Sequence, residues 1–160
     1  MSNQDSILCH IEPKPEHFGR LVGITYRFMA EQLLEVVKEK GFPNFSMQYV
    51  AILMNVGAQG VTINQLAEKI QITKQAVSKM AKDLEKFGYV ELKKNPNDNR
   101  SVLITLSKQG VALIELLKKQ QTKFIGELIK TWGETKTHTF LEDMHFIMRL
   151  LIQKKQQKAK

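Results

Sequence analysis

A stripe of polar and basic side chains recurs at helical spacing between residues 74 and 86. At 100° per residue, one side of such a helix carries Gln75, Lys79, Lys82 and Lys86, and the other carries Val77, Met80, Ala81 and Leu84. Glutamine can bond adenine through two atoms, and lysine can donate to guanine O6 and N7. The spacing therefore favours a nucleic-acid interface, and a plain solvated lysine face is the alternative it leaves open.

A second group of basic residues follows this stripe in the sequence and lies on both sides of a predicted turn. Lys93, Lys94 and Arg100 flank the segment Asn95-Pro96-Asn97-Asp98-Asn99, whose residue types favour turns. On both sides of that segment apolar and polar residues alternate with a period of two, which is typical of strands. The sequence therefore predicts a β-hairpin with a basic tip.

Two short capped helices would position the stripe. Thr62 with Gln65 three residues later forms a capping box for a helix over Ile63–Ile70, and Thr73 caps the next helix over Lys74–Phe87, which Gly88 ends. A connection of only two residues predicts a helix-turn-helix. In such a motif the second helix enters the major groove with its N-terminal part. The residues expected at the DNA are Thr73, with Lys74, Gln75, Ser78 and Lys79 at base edges and Lys82 and Lys86 at phosphates.

Long helices are predicted on both sides of this region. Apolar residues recur near helical spacing over Glu16–Lys40, Ser107–Trp132 and Thr135–Gln156, and Ser46 is expected to cap a further helix that runs through Val56. One small domain cannot cover the apolar stripes of the three long helices, so we expect them to bundle with those of a second copy. The alternative is a monomer in which they fold back on their own domain.

The predicted fold class is mostly α with a small β-hairpin wing: a winged helix-turn-helix flanked by long N- and C-terminal dimerisation helices. Four regions follow along the chain. They are a flexible arm (1–15), the N-terminal helix of a dimerisation region (16–45), the winged helix-turn-helix DNA-binding domain (46–106) and C-terminal dimerisation helices (107–160).

Composition narrows the classes of function. The 160 residues carry a formal net charge of +8, and residues 69–106 hold eight basic and four acidic side chains. This excess favours a polyanionic partner. Cys9 is the single cysteine, so the chain can form no internal disulfide, and its longest apolar stretch is far shorter than the ~20 residues that span a bilayer. We therefore expect a cytoplasmic protein that does not enter the membrane.

The hairpin and the helix after it resemble those of the MarR family of bacterial winged-helix regulators. The family pattern is Asp-x-Arg, an apolar strand and then Leu-Thr-x-x-Gly; Asp98, Arg100, Leu106 and Gly110 match it, and Ser107 replaces the threonine. The resemblance covers about residues 16–155. It implies a homodimer on a pseudo-palindromic operator of double-stranded DNA, with Arg100 in the minor groove and Asp98 orienting its guanidinium. A planar cation suits a narrow groove of high negative potential, and a plain turn role for Asp98 is the alternative.

Regulators of the resembled family often respond to a phenol, an oxidant or a metal. A small aromatic or phenolic effector would find Arg27 for a carboxylate and Tyr26 and Met47 as walls, with Met29, Phe45 and Trp132 as further candidates that could equally be core. Cys9 could sense oxidants, but an inert thiol is the simpler interpretation. His138, Glu142 and His145 share a helix face and could bind zinc, although solvated residues commonly have this spacing. We expect no metal and no cofactor.

The chain shows no catalytic constellation. Gly57-Ala58-Gln59-Gly60 lacks the strand and the lysine of a phosphate-binding loop, and no serine or cysteine has an obvious base. We therefore expect a sequence-specific transcriptional regulator that acts as a repressor, and not an enzyme. A winged-helix module that binds an acidic protein and a nonspecific DNA-architectural protein are the alternatives.

Overall fold

The computed structural model describes residues 14–96 and 98–158, and in this part the chain is mostly helical with one small antiparallel sheet, which confirms the predicted fold class. Its helices and strands are α1 (Phe18–Glu39), α2 (Val50–Leu53), β1 (Val61–Thr62), α3 (Ile63–Ile70), α4 (Lys74–Lys86), β2 (Val90–Asn95), β3 (Asp98–Leu106), α5 (Lys108–Trp132) and α6 (Glu134–Lys158). Short 3-10 turns precede α1 (Pro15–His17) and α2 (Met47–Tyr49).

The chain divides into two compact units. The first runs to Leu117 and the second begins at Lys118, so the division falls inside α5. The first unit holds the short helices and the sheet. The second holds the remainder of α5 and all of α6.

The predicted helix-turn-helix is confirmed in its local detail. The Thr62 hydroxyl accepts a hydrogen bond from the Gln65 backbone N–H at 3.3 Å, while the Gln65 side chain accepts one from the Thr62 N–H at 3.0 Å. Thr73 Oγ1 accepts a hydrogen bond from the Ala76 N–H at 3.2 Å and so caps α4. Between the two helices Gln71 adopts a left-handed backbone with φ of 56°. That conformation reverses the chain within two residues.

The hairpin is joined by a third strand that the sequence did not predict. The sheet order is β1-β3-β2, and β1 pairs Val61 with Ile104 and Thr62 with Leu103. A strand of two residues has no periodicity to detect. β2 and β3 pair antiparallel, as predicted for a hairpin, and their register shifts between Lys94 and Asn95. The sheet thereby attaches the start of α3 to the base of the hairpin.

One hydrophobic core fills the first unit, and it reaches beyond residues 46–106. Val37 from α1, Phe42 and Phe45 from the loop after it, and Leu113 from α5 are all buried. The core of this unit therefore extends beyond the predicted DNA-binding domain of residues 46–106. Tyr89 is also buried among the aromatic rings, and this burial raises the pKa of its phenol above the usual range, while a hydrogen bond with the Asn44 backbone acts in the opposite direction.

The start of α5 packs directly on the turn that follows α4. Ser107 Oγ accepts the Gly110 backbone N–H at 3.0 Å and donates to the Gly88 carbonyl at 2.6 Å. A Cβ built at Gly110 would lie 1.9 Å from the Tyr89 carbonyl oxygen. Only glycine therefore fits at this position.

Three local predictions need correction. The helix expected from Ser46 through Val56 is a 3-10 turn followed by a single α-helical turn that ends at Leu53, and the Ser46 side chain makes no capping hydrogen bond. Its residues fill the core with bulky side chains, so tertiary packing outweighs helical periodicity there. Val111 belongs to the apolar repeat predicted over Ser107–Trp132, yet its side chain is 43% exposed. The first long helix begins at Phe18 and not at Glu16, because a 3-10 turn precedes it.

Candidate nucleic-acid interface

Helix α4 presents the predicted stripe to solvent. Val77, Ala81 and Leu84 are fully buried on its inner side and hold the helix against the core. Ser78 is half-buried at the edge of the stripe. The other six candidate residues of this segment are exposed: Thr73, Lys74, Gln75, Lys79, Lys82 and Lys86.

The first half of the stripe forms one wall of an open groove. Ile63, at the start of α3, contributes an apolar side chain to its lining, and the volume of the groove is about 510 Å³. The remaining lining residues are Lys74, Gln75, Ser78, Lys79 and Lys82. None of these six side chains is acidic, and three carry a positive charge, so the groove attracts anions. Ile63 was not among the residues singled out from the sequence, because an apolar residue at a helix start ordinarily signals core.

The basic residues of the hairpin are exposed on the same compact unit. Lys93 and Lys94 lie on β2 and Arg100 on β3. Lys93 forms an ion pair with Glu91, two residues earlier on the same strand. This carboxylate neutralises part of the charge of the hairpin.

Asp98 holds the backbone of the hairpin turn. Its Oδ1 accepts a hydrogen bond from the backbone N–H of Arg100 at 3.0 Å, and its carbonyl accepts the Ser101 hydroxyl at 3.1 Å. Ser101 Oγ in turn accepts the Asn95 side-chain amide at 2.9 Å. The hydrogen bond between Asp98 and Arg100 thus involves the main chain of Arg100, which supports the turn role of Asp98. Its effect on the guanidinium stays a prediction.

Glu85 connects α4 to the hairpin, a contact that was not predicted from the sequence. Its Oε1 accepts a hydrogen bond from the backbone N–H of Leu92 on β2 at 3.1 Å. Glutamate within a lysine-rich helix ordinarily suggests a solvated residue, so the sequence held no signal for this contact.

The candidate effector residues differ in their surroundings. Tyr26 is 59% exposed on α1, and Arg27 beside it lies 4.0 Å from Glu31 with its guanidinium 5.3 Å from the centre of the Phe28 ring. Met47 is half-buried against the core. Of the further candidates, Phe45 is core and Met29 is 43% exposed. In the second unit, the ring of Trp132 packs edge-on against Phe140, with the two centres 5.6 Å apart.

The other predicted sites gain no geometric support. His138 lies 3.9 Å from Glu134, one turn earlier, and Glu142 and His145 are exposed. Within residues 14–96 and 98–158, no three His, Cys, Asp or Glu side chains are grouped so that they could hold a metal ion. Cys9 lies outside the described residues. Among the helices that the structure describes, none combines the length and the hydropathy that a membrane crossing requires.

Comparison with known proteins identifies similar sequences. A model of the MarR family matches residues 44–101. The chain is 35% identical over 72 residues to the HTH-type transcriptional regulator YdgJ of Bacillus subtilis (strain 168), a match that covers 45% of this chain and 44% of YdgJ. It is 28% identical over 107 residues to the organic hydroperoxide resistance transcriptional regulator of the same bacterium, covering 61% of this chain and 70% of that protein. The chain thus matches less than half the length of YdgJ.

Solved structures share the fold over most of the chain. FabT of Streptococcus pneumoniae, solved in complex with DNA, aligns with a TM-score of 0.77 at 18% identity and covers 88% of this chain and 99% of FabT. A MarR transcriptional regulator from Methanosarcina mazei Go1 aligns with a TM-score of 0.71 at 17% identity, covering 86% of this chain and 98% of that one. At these identities, the likeness shows a common fold.

Proposed function

Because this chain belongs to the MarR family of winged helix-turn-helix transcriptional regulators, we propose that it binds a specific DNA operator as a homodimer and represses transcription. The observation that carries the proposal is the exposed stripe of α4, which lines a groove free of acidic side chains on the same unit as a basic hairpin. The DNA complex of FabT, a protein of the same fold, adds support. The family is one of regulators and not of enzymes. A regulator of this kind works in the bacterial cytoplasm, where the chromosome lies.

In the proposed complex, α4 lies in the major groove. Gln75 and Lys79 contact base edges together with Lys74 and Ser78, because they lie in the N-terminal half of the helix. Lys82 and Lys86, farther along the same face, neutralise phosphates. Thr73 keeps its hydroxyl on the helix cap, so its contribution is to present the first turn of α4 to the DNA.

The hairpin acts as a wing on the neighbouring minor groove. Arg100 enters the groove, where a planar guanidinium gains from the negative potential, and Lys93 and Lys94 contact the flanking phosphates. Asp98 holds the turn from which Arg100 projects. Two such units related by a two-fold axis read a pseudo-palindrome whose half-sites lie about one helical turn apart.

Repression follows if the operator overlaps a promoter, and release requires a signal. We propose a small aromatic acid as the effector, held by the exposed Arg27 guanidinium, with Tyr26 and Met47 as apolar contacts. Its carboxylate would compete with Glu31 for Arg27, since the two are only 4.0 Å apart. Binding would then shift the population toward a dimer with a different spacing of its two α4 helices.

The test is binding of the purified chain to the DNA upstream of its own coding region, at several salt concentrations and against a scrambled duplex. We expect a preference of at least 10³-fold for one palindromic segment and a steep loss of affinity as salt rises. A Gln75→Ala variant should lose discrimination at one base pair, whereas Lys82→Ala should weaken all duplexes equally.

The same measurement separates the other two functions considered. Equal affinity for every duplex would indicate a nonspecific architectural protein. No DNA binding, together with retention on an acidic protein, would indicate an interaction module. Addition of salicylate as a probe aromatic acid should release the specific duplex from the wild-type chain, and it should have no effect on an Arg27→Gln variant.

A further inference from the structure

Helix α4 and the hairpin are linked by the chain itself and by hydrogen bonds that one residue, Glu85, accepts. Glu85 lies in the last turn of α4. Its main-chain carbonyl accepts the Gly88 N–H at 2.9 Å, and its side-chain carboxylate accepts the Leu92 N–H at 3.1 Å. One glutamate therefore holds both the turn after α4 and the strand that follows it.

The strand that Glu85 holds lies at the edge of the sheet. Because the order is β1-β3-β2, one row of backbone N–H groups on β2 has no neighbouring strand. Glu85 accepts the Leu92 N–H at the place in the chain where Lys93 and Lys94 follow. This contact is therefore a direct link between the end of α4 and the strand that carries the basic residues of the hairpin.

We propose that Glu85 is a positioning residue for DNA binding, which sets the placement of the wing relative to α4 so that the basic groups of both meet one duplex. The proposal rests on the function proposed above. Without the contact, pairing of β2 with β3 would persist and the base of the hairpin would stay in the core, but the outer edge of β2 at Leu92 would no longer be held to the end of α4. DNA binding would then carry the additional entropic cost of ordering the wing, and this cost lowers the affinity for DNA.

The negative charge of Glu85 allows a test, because an electrostatic role and a positioning role predict changes of DNA affinity in opposite directions. Its carboxylate lies among the lysines of α4, so simple Coulomb attraction predicts that any neutral substitution tightens DNA binding. A positioning role predicts the opposite for a substitution that also removes the hydrogen-bond acceptor. The two effects are separated by a pair of neutral variants that differ chiefly in whether they keep a carbonyl oxygen as the acceptor.

Glu85→Gln and Glu85→Met form this pair, because both side chains are uncharged, unbranched, similar in length and compatible with a helix. We expect Glu85→Gln to bind the specific duplex at least as tightly as the wild-type chain. Glu85→Met should bind about fivefold more weakly than Glu85→Gln, in line with the loss of one hydrogen bond. It should also show a shallower salt dependence, because fewer wing cations reach phosphates. Without DNA, the Leu92 amide should exchange with solvent faster in Glu85→Met alone.

Glu68→Met on α3 is the matched control, since it also replaces an exposed carboxylate with a thioether. It should bind at least as tightly as the wild-type chain and leave Leu92 exchange unchanged. Glu85→Ala serves as a second acceptor-free variant if circular dichroism shows that the methionine variant is unfolded. Binding of the acceptor-free variant within twofold of Glu85→Gln, or unchanged protection of Leu92, overturns the positioning role while the proposed function stands. If the wild-type chain prefers no duplex, the proposed function itself fails.

Discussion

Arg100 and Asp98 of the hairpin are both expected to contribute to DNA binding, but through different kinds of contact. Arg100 offers an exposed guanidinium, whereas Asp98 offers a carboxylate that is engaged with the backbone of the same turn. One would bind DNA, and the other would shape the loop that presents it. Because the two charges are opposite, loss of charge alone would change DNA affinity in opposite directions at the two positions, and substitutions can therefore distinguish the two roles.

Arg100→Ala should weaken binding to the specific duplex by about 1–3 kcal/mol per subunit, because it removes the cation from the minor groove. The slope of log affinity against log salt should become shallower by about one. Fluorescence anisotropy over a salt series measures both quantities. An unchanged affinity and slope would show that the wing does not reach the DNA.

Asp98→Ala should also weaken binding, although it removes a negative charge near DNA, because the backbone N–H of Arg100 loses its acceptor and the turn loosens. Asp98→Asn keeps an acceptor oxygen at the same place and should bind at least as tightly as the wild-type chain. A double-mutant cycle with Arg100→Ala measures the coupling of the two residues at fixed salt. Tighter binding by Asp98→Ala would mean that charge, and not loop order, is what matters at this position.

Two backbone positions at the junctions between helices of the first unit, Gly110 and Gln71, accept few residue types. At one, the α5 backbone passes so close to the turn after α4 that Gly110 has no room for a side chain. At the other, Gln71 adopts a left-handed backbone conformation between α3 and α4. Both positions control how α4 is oriented, so each links stability to the interface.

Gly110→Ala should lower the free energy of unfolding by roughly 2–3 kcal/mol, because its Cβ would overlap the Tyr89 carbonyl oxygen and backbone must move to relieve the overlap. Chemical denaturation of the purified variant measures this. The control is Gly126→Ala in the same helix, where a Cβ meets no atom within 4 Å. That substitution should stabilise by about 0.5–1 kcal/mol through helix propensity. Equal stability of the two variants would contradict the packing of α5 on the turn.

Gln71→Gly should stabilise the protein by about 1 kcal/mol, because glycine adopts the left-handed conformation without the steric cost that other residues pay. Thermal unfolding detects the gain as a higher midpoint. Gln71→Val is the opposite control, because a β-branched side chain is especially unfavourable at positive φ, and it should be destabilising. A lower midpoint for the glycine variant would argue against this turn geometry.

Across the whole molecule, the long helices of each unit expose large apolar side chains in the single chain. On α1 these are Phe18, Val22, Tyr26 and Met29, and on α6 the most exposed are Phe146, Met148 and Leu151. Apolar surface of this extent is typical of an interface between proteins. We expect a second copy to cover it, in line with the predicted dimerisation helices at both ends of the chain.

Removal of residues 135–160 should therefore produce aggregated or unfolded protein, because it deletes α6 and leaves the surfaces that α6 would cover in the dimer without a partner. Light scattering and DNA binding of the truncated chain are the measurements. A truncated chain that remains folded, monomeric and active would rule out the C-terminal helices as dimerisation elements.

Two point substitutions on α6 test the same dimerisation role without removing the helix. Phe146→Asp and Leu151→Asp together should shift the intact chain toward monomer in sedimentation, because charges would be buried in the interface. The control is Gln153→Asp on the same helix, at an exposed polar position, which should leave the dimer unchanged.

The sequence by itself determined the features whose causes lie within a few residues. The capping box at Thr62, the cap at Thr73 and the change of period after Gly88 predicted α3, α4 and the hairpin close to their observed bounds. The buried face of α4 also followed, because the spacing of apolar residues on a helix decides which side can pack. The basic stripe is the complement of that face, and this is why most of the candidate interface was visible before the structure.

The tertiary structure decided the features that depend on residues far apart in the chain. Strand β1 exists because Val61 meets Ile104, and the helix predicted from Ser46 is cut short because its residues pack into the core. The contact of Glu85 with Leu92 and the place of Ile63 beside α4 likewise arise only when the elements are assembled. Local periodicity carries no information on such pairings, because their free energy comes from contacts formed on folding.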